Sequence, residues 1–107
     1  MAYDEELTAR VRDVLAGVEG VTEKRMFGGL AFLVHGHLAV SASGRGGLLV
    51  RIDPEQRETL LAQEGAEPFR MRGRPMTGWL HVASAAVEDD EALRRWVTTG
   101  LGYARTL

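Results

Sequence analysis

A chain of 107 residues has room for one domain built on one core. Hydrophobic residues make up 45% and charged residues 26% of it, an ordinary globular composition that excludes wholesale disorder, and the formal charge is −2. Cysteine is absent, which excludes disulfides, thiolate nucleophiles and cysteine-bound metal or iron–sulfur centres.

The first predicted element is a helix. Tyr3, Leu7, Val11, Val14, Leu15 and Val18 recur at steps of three and four and form one apolar stripe. Asp4 caps its start, Glu5 and Glu6 suit the positive end of the dipole, and Gly17 and Gly20 end it. Three strands are expected next. Residues 24–34 read as one long strand with a bulge or kink at Gly28-Gly29. His35-Gly36 turns the chain into Leu38, Val40 and Ala42, and Ser43-Gly44-Arg45-Gly46-Gly47 turns it again into Leu48–Ile52.

The second helix has the clearest start signal: Asp53 as cap, Pro54 at the first helical position and Gln56 at the capping-box position. Leu60, Leu61 and the stem of Arg57 face inward, and Gly65 stops the helix. Two shorter strands, Glu67–Arg72 and Gly78–Val82, are joined through Gly73-Arg74-Pro75. A last helix opens on Asp89, Asp90 and Glu91 and carries Leu93, Trp96, Val97, Leu101 and Ala104 as its stripe. The order is α-β(3)-α-β(2)-α. Short turns make the five-stranded sheet mainly antiparallel, and one sheet face suffices for all three helices: an α+β, two-layer sandwich over residues 1–107.

The segment Lys24-Arg25-Met26-Phe27-Gly28-Gly29-Leu30-Ala31-Phe32 resembles the TfoX/Sxy N-terminal domain family. His35-Gly36-His37, Leu48-Leu49-Val50-Arg51 and the acid-led last helix extend the likeness over nearly the whole chain. Its most specific part is Arg25, Met26, Phe27, Gly28 and Gly29. The resemblance implies a stand-alone relative of bacterial competence regulators on the same two-layer fold, and it brings no catalytic residues with it.

Candidate chemistry is sparse. His35 and His37 lie two apart, but Gly36 sits between them in a turn and no third ligand follows, so no metal and no cofactor are expected. Neither glycine run precedes a helix or a Gly-Lys-Ser/Thr, so neither is a phosphate loop. Ser41, Ser43 and Ser84 have no nucleophile-elbow context, and His81 is an isolated base. The residues that invite a binding role are Arg70, Arg72 and Arg74, joined by Arg25 and Arg51 if their strands are neighbours. A half-exposed Trp79 would supply a contact anchor. A solvated, charge-protected sheet edge is the plainer account of those arginines.

Runs apolar at both parities, Leu30–Val34 and Leu48-Leu49-Val50, ask for cover on the second sheet face. The expected cover is a second copy in a homodimer. The acidic start lacks the basic region and apolar run of a secretory leader, and no apolar run approaches a membrane span, so a cytoplasmic protein without membrane contact is expected. With pI about 5.9 and no basic helix face, the domain alone is not expected to bind DNA specifically. The leading expectation is a non-enzymatic, regulator-like interaction domain acting through contacts with an unknown protein partner. The alternative is a small-molecule or nucleotide-responsive binding protein with cryptic activity. A flat apolar face favours the first, and a polar-lined pocket favours the second.

Overall fold

The structure, a computed structural model, describes residues 3–26 and 28–107. In chain order it has α1 (Glu5–Leu15), β1 (Val21–Met26), β2 (Gly29–Val34), β3 (His37–Ala42) and β4 (Leu48–Arg51). A 3-10 turn over Pro54–Gln56 leads into α2 (Arg57–Leu61), and β5 (Ala66–Met71) and β6 (Arg74–Val82) follow. A second 3-10 turn over Ser84–Val87 precedes α3 (Asp90–Ala104). The strands form one antiparallel sheet in the order β1-β2-β3-β4-β6-β5.

The sheet therefore has six strands rather than five, and the difference arises at Gly28-Gly29. Residues 24–34 are not one kinked strand but parts of two, β1 and β2. They fold back as a hairpin with Met26 opposite Gly29, and Gly28 takes φ +75°, a region glycine enters without steric cost. The last strand pair also turns earlier than the sequence suggests. Met71 faces Arg74, and the reversal is made by Arg72 and Gly73, at φ +53° and +78°. Arg74 and Pro75 belong to β6. The second helix is a 3-10 turn continued by a single short helix. Asp53 caps it as expected, accepting from the Glu55 N–H at 2.9 Å, while Gln56 makes no capping bond.

Cross-strand partners share a face, so the register defines the core. The rows Leu30–Ala42–Leu48–Val82 and Phe32–Val40–Val50–Leu80 run across the sheet. They are buried with Leu7, Val11 and Leu15 of α1 and Leu93, Trp96, Val97 and Leu101 of α3. The α3 helix lies on β3 and β4, with α1 beside it. Asp4 and Asp89 cap the two long helices through backbone N–H groups of their first turns. Arg12 of α1 donates two hydrogen bonds, at 2.7 and 2.8 Å, to the Glu23 carboxylate on β1. That pairing holds the Glu23 carboxyl below its ordinary range, against the opposite push of desolvation.

A candidate binding cleft on the second sheet face

The other parity of the same strands builds the opposite face: Ala31, Ser41, Leu49, His81 and Glu67 form one row across it. Ala31, Ser41 and Leu49 are 0%, 4% and 7% exposed within the single chain. The β5–β6 hairpin borders the same region, with Phe69–Gly73 lining one cleft with Ser41 and Leu49. Its pairing steps from Pro68↔Leu80 to Arg70↔Pro75, so Met76 to Trp79 of β6 stand against Phe69 alone. Such an irregularity bends the strand and re-aims its end. The tip of the hairpin thereby becomes a wall.

The result is a cleft of about 480 Å³. Its floor is Ser41 and Leu49, one wall is Phe69–Gly73, and Met26, Gly29, Ser43 and Arg45 complete the lining. Three arginines, Arg45, Arg70 and Arg72, line it together with no acidic residue. The Ser41 hydroxyl is engaged, donating to the Leu30 carbonyl at 3.2 Å. The turn that carries Arg45 is held from below by His81, whose Nε2 meets the Gly46 carbonyl at 2.8 Å while Nδ1 meets Glu67 Oε1 at 2.7 Å. Gly47 makes that close approach possible, since a Cβ there would lie 2.8 Å from His81 Nε2.

The arginines predicted as one patch divide into four groups. Arg70 and Arg72 reach the cleft, the first from β5 and the second from the turn rather than from a strand. Arg25 pairs with Leu30 and so lies on the helix-side face of the sheet. Arg74 is an exposed residue of β6 outside the cleft lining. Arg51 is opposite Trp79, as neighbouring strands require, and forms a cluster of its own. Its guanidinium carbon lies 5.0 Å from the Trp79 ring centre and 5.7 Å from that of Tyr103 on α3. Both distances are within cation–π reach. Its Nε is shielded and has no hydrogen-bond partner, as is the Nε of Arg57. Arg45 was not singled out by sequence, because one arginine in a glycine-rich turn carries no periodic signal. Phe27, in the middle of the Arg-Met-Phe-Gly-Gly run, lies outside the described residues.

Among the described residues, Ser41 and His81 are not brought together. His81 has the acid that would orient a base, but its other nitrogen faces the Gly46 carbonyl rather than a hydroxyl. Ser41 shares its face from two strands away, separated by β4 and Leu49, roughly 9–10 Å at ordinary strand spacing. His35 sits at φ +48° in the β2–β3 turn and His37 opens β3, both exposed. Among the described residues no three His, Cys, Asp or Glu side chains group as metal ligands, and no helix is long and apolar enough to cross a membrane.

The model of the TfoX N-terminal domain matches residues 13–104. No curated protein and no solved structure matches the chain. The matched span takes in all six strands and α3, nearly the full length of the chain. This chain belongs to the TfoX N-terminal domain family.

Proposed function

We propose that the chain is a non-enzymatic, regulator-type binding domain of the cytoplasm, and that its working surface is the arginine-lined cleft. One observation carries this reading: three arginines and no carboxylate line a concavity on the sheet face that bears no helix. In a chain with 15 acids and 13 lysines and arginines, that local balance marks a site for a negatively charged ligand. The volume falls in the range of small-molecule sites, roughly 300–1,000 Å³, which favours a ligand-responsive domain over a flat protein contact. Contacts with a protein partner would then report whether the cleft is filled. An NMR titration with small organic anions should move the amide signals of Ser43–Gly47 and Phe69–Gly73 first. Shifts confined to α1 or α3 would overturn the placement.

The case for a homodimer is narrower than the strand pattern suggests. Of the residues that called for cover, all but Leu33 are already buried in one chain; away from the cleft, half-buried Leu33 and its cross-strand partner Leu38 are an apolar pair on that face. Light scattering coupled to size exclusion distinguishes a mass near the 11.7 kDa of one chain from twice that value. A two-fold contact predicts the doubled mass at micromolar concentration and its loss in Leu33→Glu. Sequence-selective DNA recognition is not part of this proposal. The arginines line a concave cleft, whereas base readout needs a helix or ribbon that projects into a groove.

A further inference from the structure

We infer that the cleft takes an amphipathic organic anion: a small molecule with one carboxylate or phosphate head and an apolar body. The inference rests on reading the cleft as the binding site, and it names the ligand class. Charge argues for the head. Arg45, Arg70 and Arg72 make no salt bridge among the described residues, whereas Arg10 and Arg12 are each paired with a carboxylate. Unpaired guanidinium groups around a cleft are ready donors for a carboxylate or phosphate, which they bind through paired N–H groups.

The floor and walls argue for the body. Leu49 is buried at the base, and Met26, Phe69 and Met71 are half-buried around it. The polar atom at the base, the Ser41 hydroxyl, is already committed to the Leu30 carbonyl. A ligand seated there therefore meets apolar and thioether surface, and two methionines suit a flexible chain because their side chains adapt to irregular shapes. A simple inorganic anion would satisfy the arginines and leave that surface in contact with water. An apolar molecule without a charge would leave the guanidinium groups unused.

The cleft is also built rather than incidental. The His81 bond to the Gly46 carbonyl fixes the turn bearing Arg45. The β5–β6 turn places Arg72 at φ +53° beside Gly73. Both arginine-bearing turns thus have a defined conformation before any ligand arrives, which lowers the ordering cost of binding.

The test is calorimetric titration of the full chain with decanoate, kept below its micelle-forming concentration. Acetate, inorganic phosphate and decanol are titrated as head-only and body-only probes, and a short polyglutamate peptide as an acidic segment. Decanoate should bind at least about tenfold tighter than acetate, phosphate or decanol. The Arg45→Gln/Arg70→Gln variant should weaken decanoate by about tenfold or more, the scale of a lost charged hydrogen bond. Both residues are exposed, so its thermal melt should match the parent, and Arg25→Gln/Arg74→Gln should leave decanoate binding unchanged. If acetate or phosphate matches decanoate and shows the same arginine dependence, the site reads charge alone: the ligand class is wrong and the cleft survives as the site. Polyglutamate binding with that dependence, in the absence of decanoate binding, makes the ligand a protein segment and likewise removes the inference. Decanoate binding that ignores Arg45 and Arg70, or no binding by any probe, overturns the cleft itself.

Discussion

Gly29→Val is expected to lower the melting temperature more than Gly28→Val, and both more than Gly44→Val. A Cβ on Gly29 would stand 2.2 Å from the Ala42 carbonyl oxygen and 3.2 Å from the Gly44 nitrogen. Those atoms are backbone at the end of β3 and in the turn that follows it. They cannot yield without disturbing the register that aligns Leu30 with Ala42. The loss should be about 3 kcal/mol or more, at the upper end for overpacking. At Gly28 nothing lies within 4 Å, so the penalty is conformational: φ +75° costs a side chain roughly 1–2 kcal/mol. Gly44 is exposed, and substitution there should stay within about 0.5 kcal/mol. Thermal or urea melts of the three variants read the order directly. Equal effects at Gly28 and Gly29 would mean that the hairpin does not close against Ala42.

The same pair of glycines shows why the fold was legible from sequence and its strand count was not. Alternation and helical periodicity depend on side chains, and they located both long helices, the β2–β3 and β3–β4 turns and the caps at Asp4 and Asp53. A bulge and a two-residue reversal both use glycine inside a strand-like run. They differ in whether the flanking segments pair with each other, and that is decided in three dimensions. Val21–Met26 has one face toward α1 and a free edge, so its exposed Thr22, Glu23, Lys24 and Arg25 gave a weak strand signal. The β5–β6 turn was misplaced for a related reason. Arg72 occupies a positive-φ position that glycine, asparagine or aspartate would have advertised.

The cleft was half legible. Arg70 and Arg72 stood out by spacing, but their neighbour across the cavity is Arg45, which is brought in by the pairing of β3 with β4 and β4 with β6. Arg25 and Arg51 were grouped with them because strand parity cannot be assigned before register is known. Once Arg25 is seen to pair with Leu30, it belongs to the opposite face. The apolar runs at both parities point to a second face in need of cover, and Ala31 and Leu49 on it are buried within the single chain. The tip of β5–β6 walls the cleft on the second face, a feature that depends on four residues of β6 facing one of β5.

Two glycines of α3 should respond in opposite directions to the same change. In an exposed helix interior, Gly→Ala stabilises by about 0.5–1 kcal/mol, because alanine loses less backbone entropy on folding. Gly102, in the last turn of α3, has the same freedom: it is exposed and a Cβ there finds nothing within 4 Å. Gly102→Ala should therefore raise the melting temperature by a few degrees for a domain of this size. Gly100 lies two residues earlier and continues the spacing of Leu93, Trp96, Val97 and Ala104, all buried. Its added Cβ would lie 2.4 Å from the Ala39 carbonyl oxygen and 2.8 Å from Val40 Cγ1. The valine methyl can rotate away, but the carbonyl belongs to β3 and holds its place. The helix would have to lift from the sheet along the line where Trp96, Val97 and Leu101 are packed, so several well-filled contacts loosen together. That loss should exceed the helical gain and leave Gly100→Ala destabilised by about 2–3 kcal/mol, with Gly100→Val worse. A helix propensity effect alone predicts that both alanine variants gain stability. A rise in melting temperature for Gly100→Ala would therefore show that α3 stands further from β3 than the 2.4 Å approach implies.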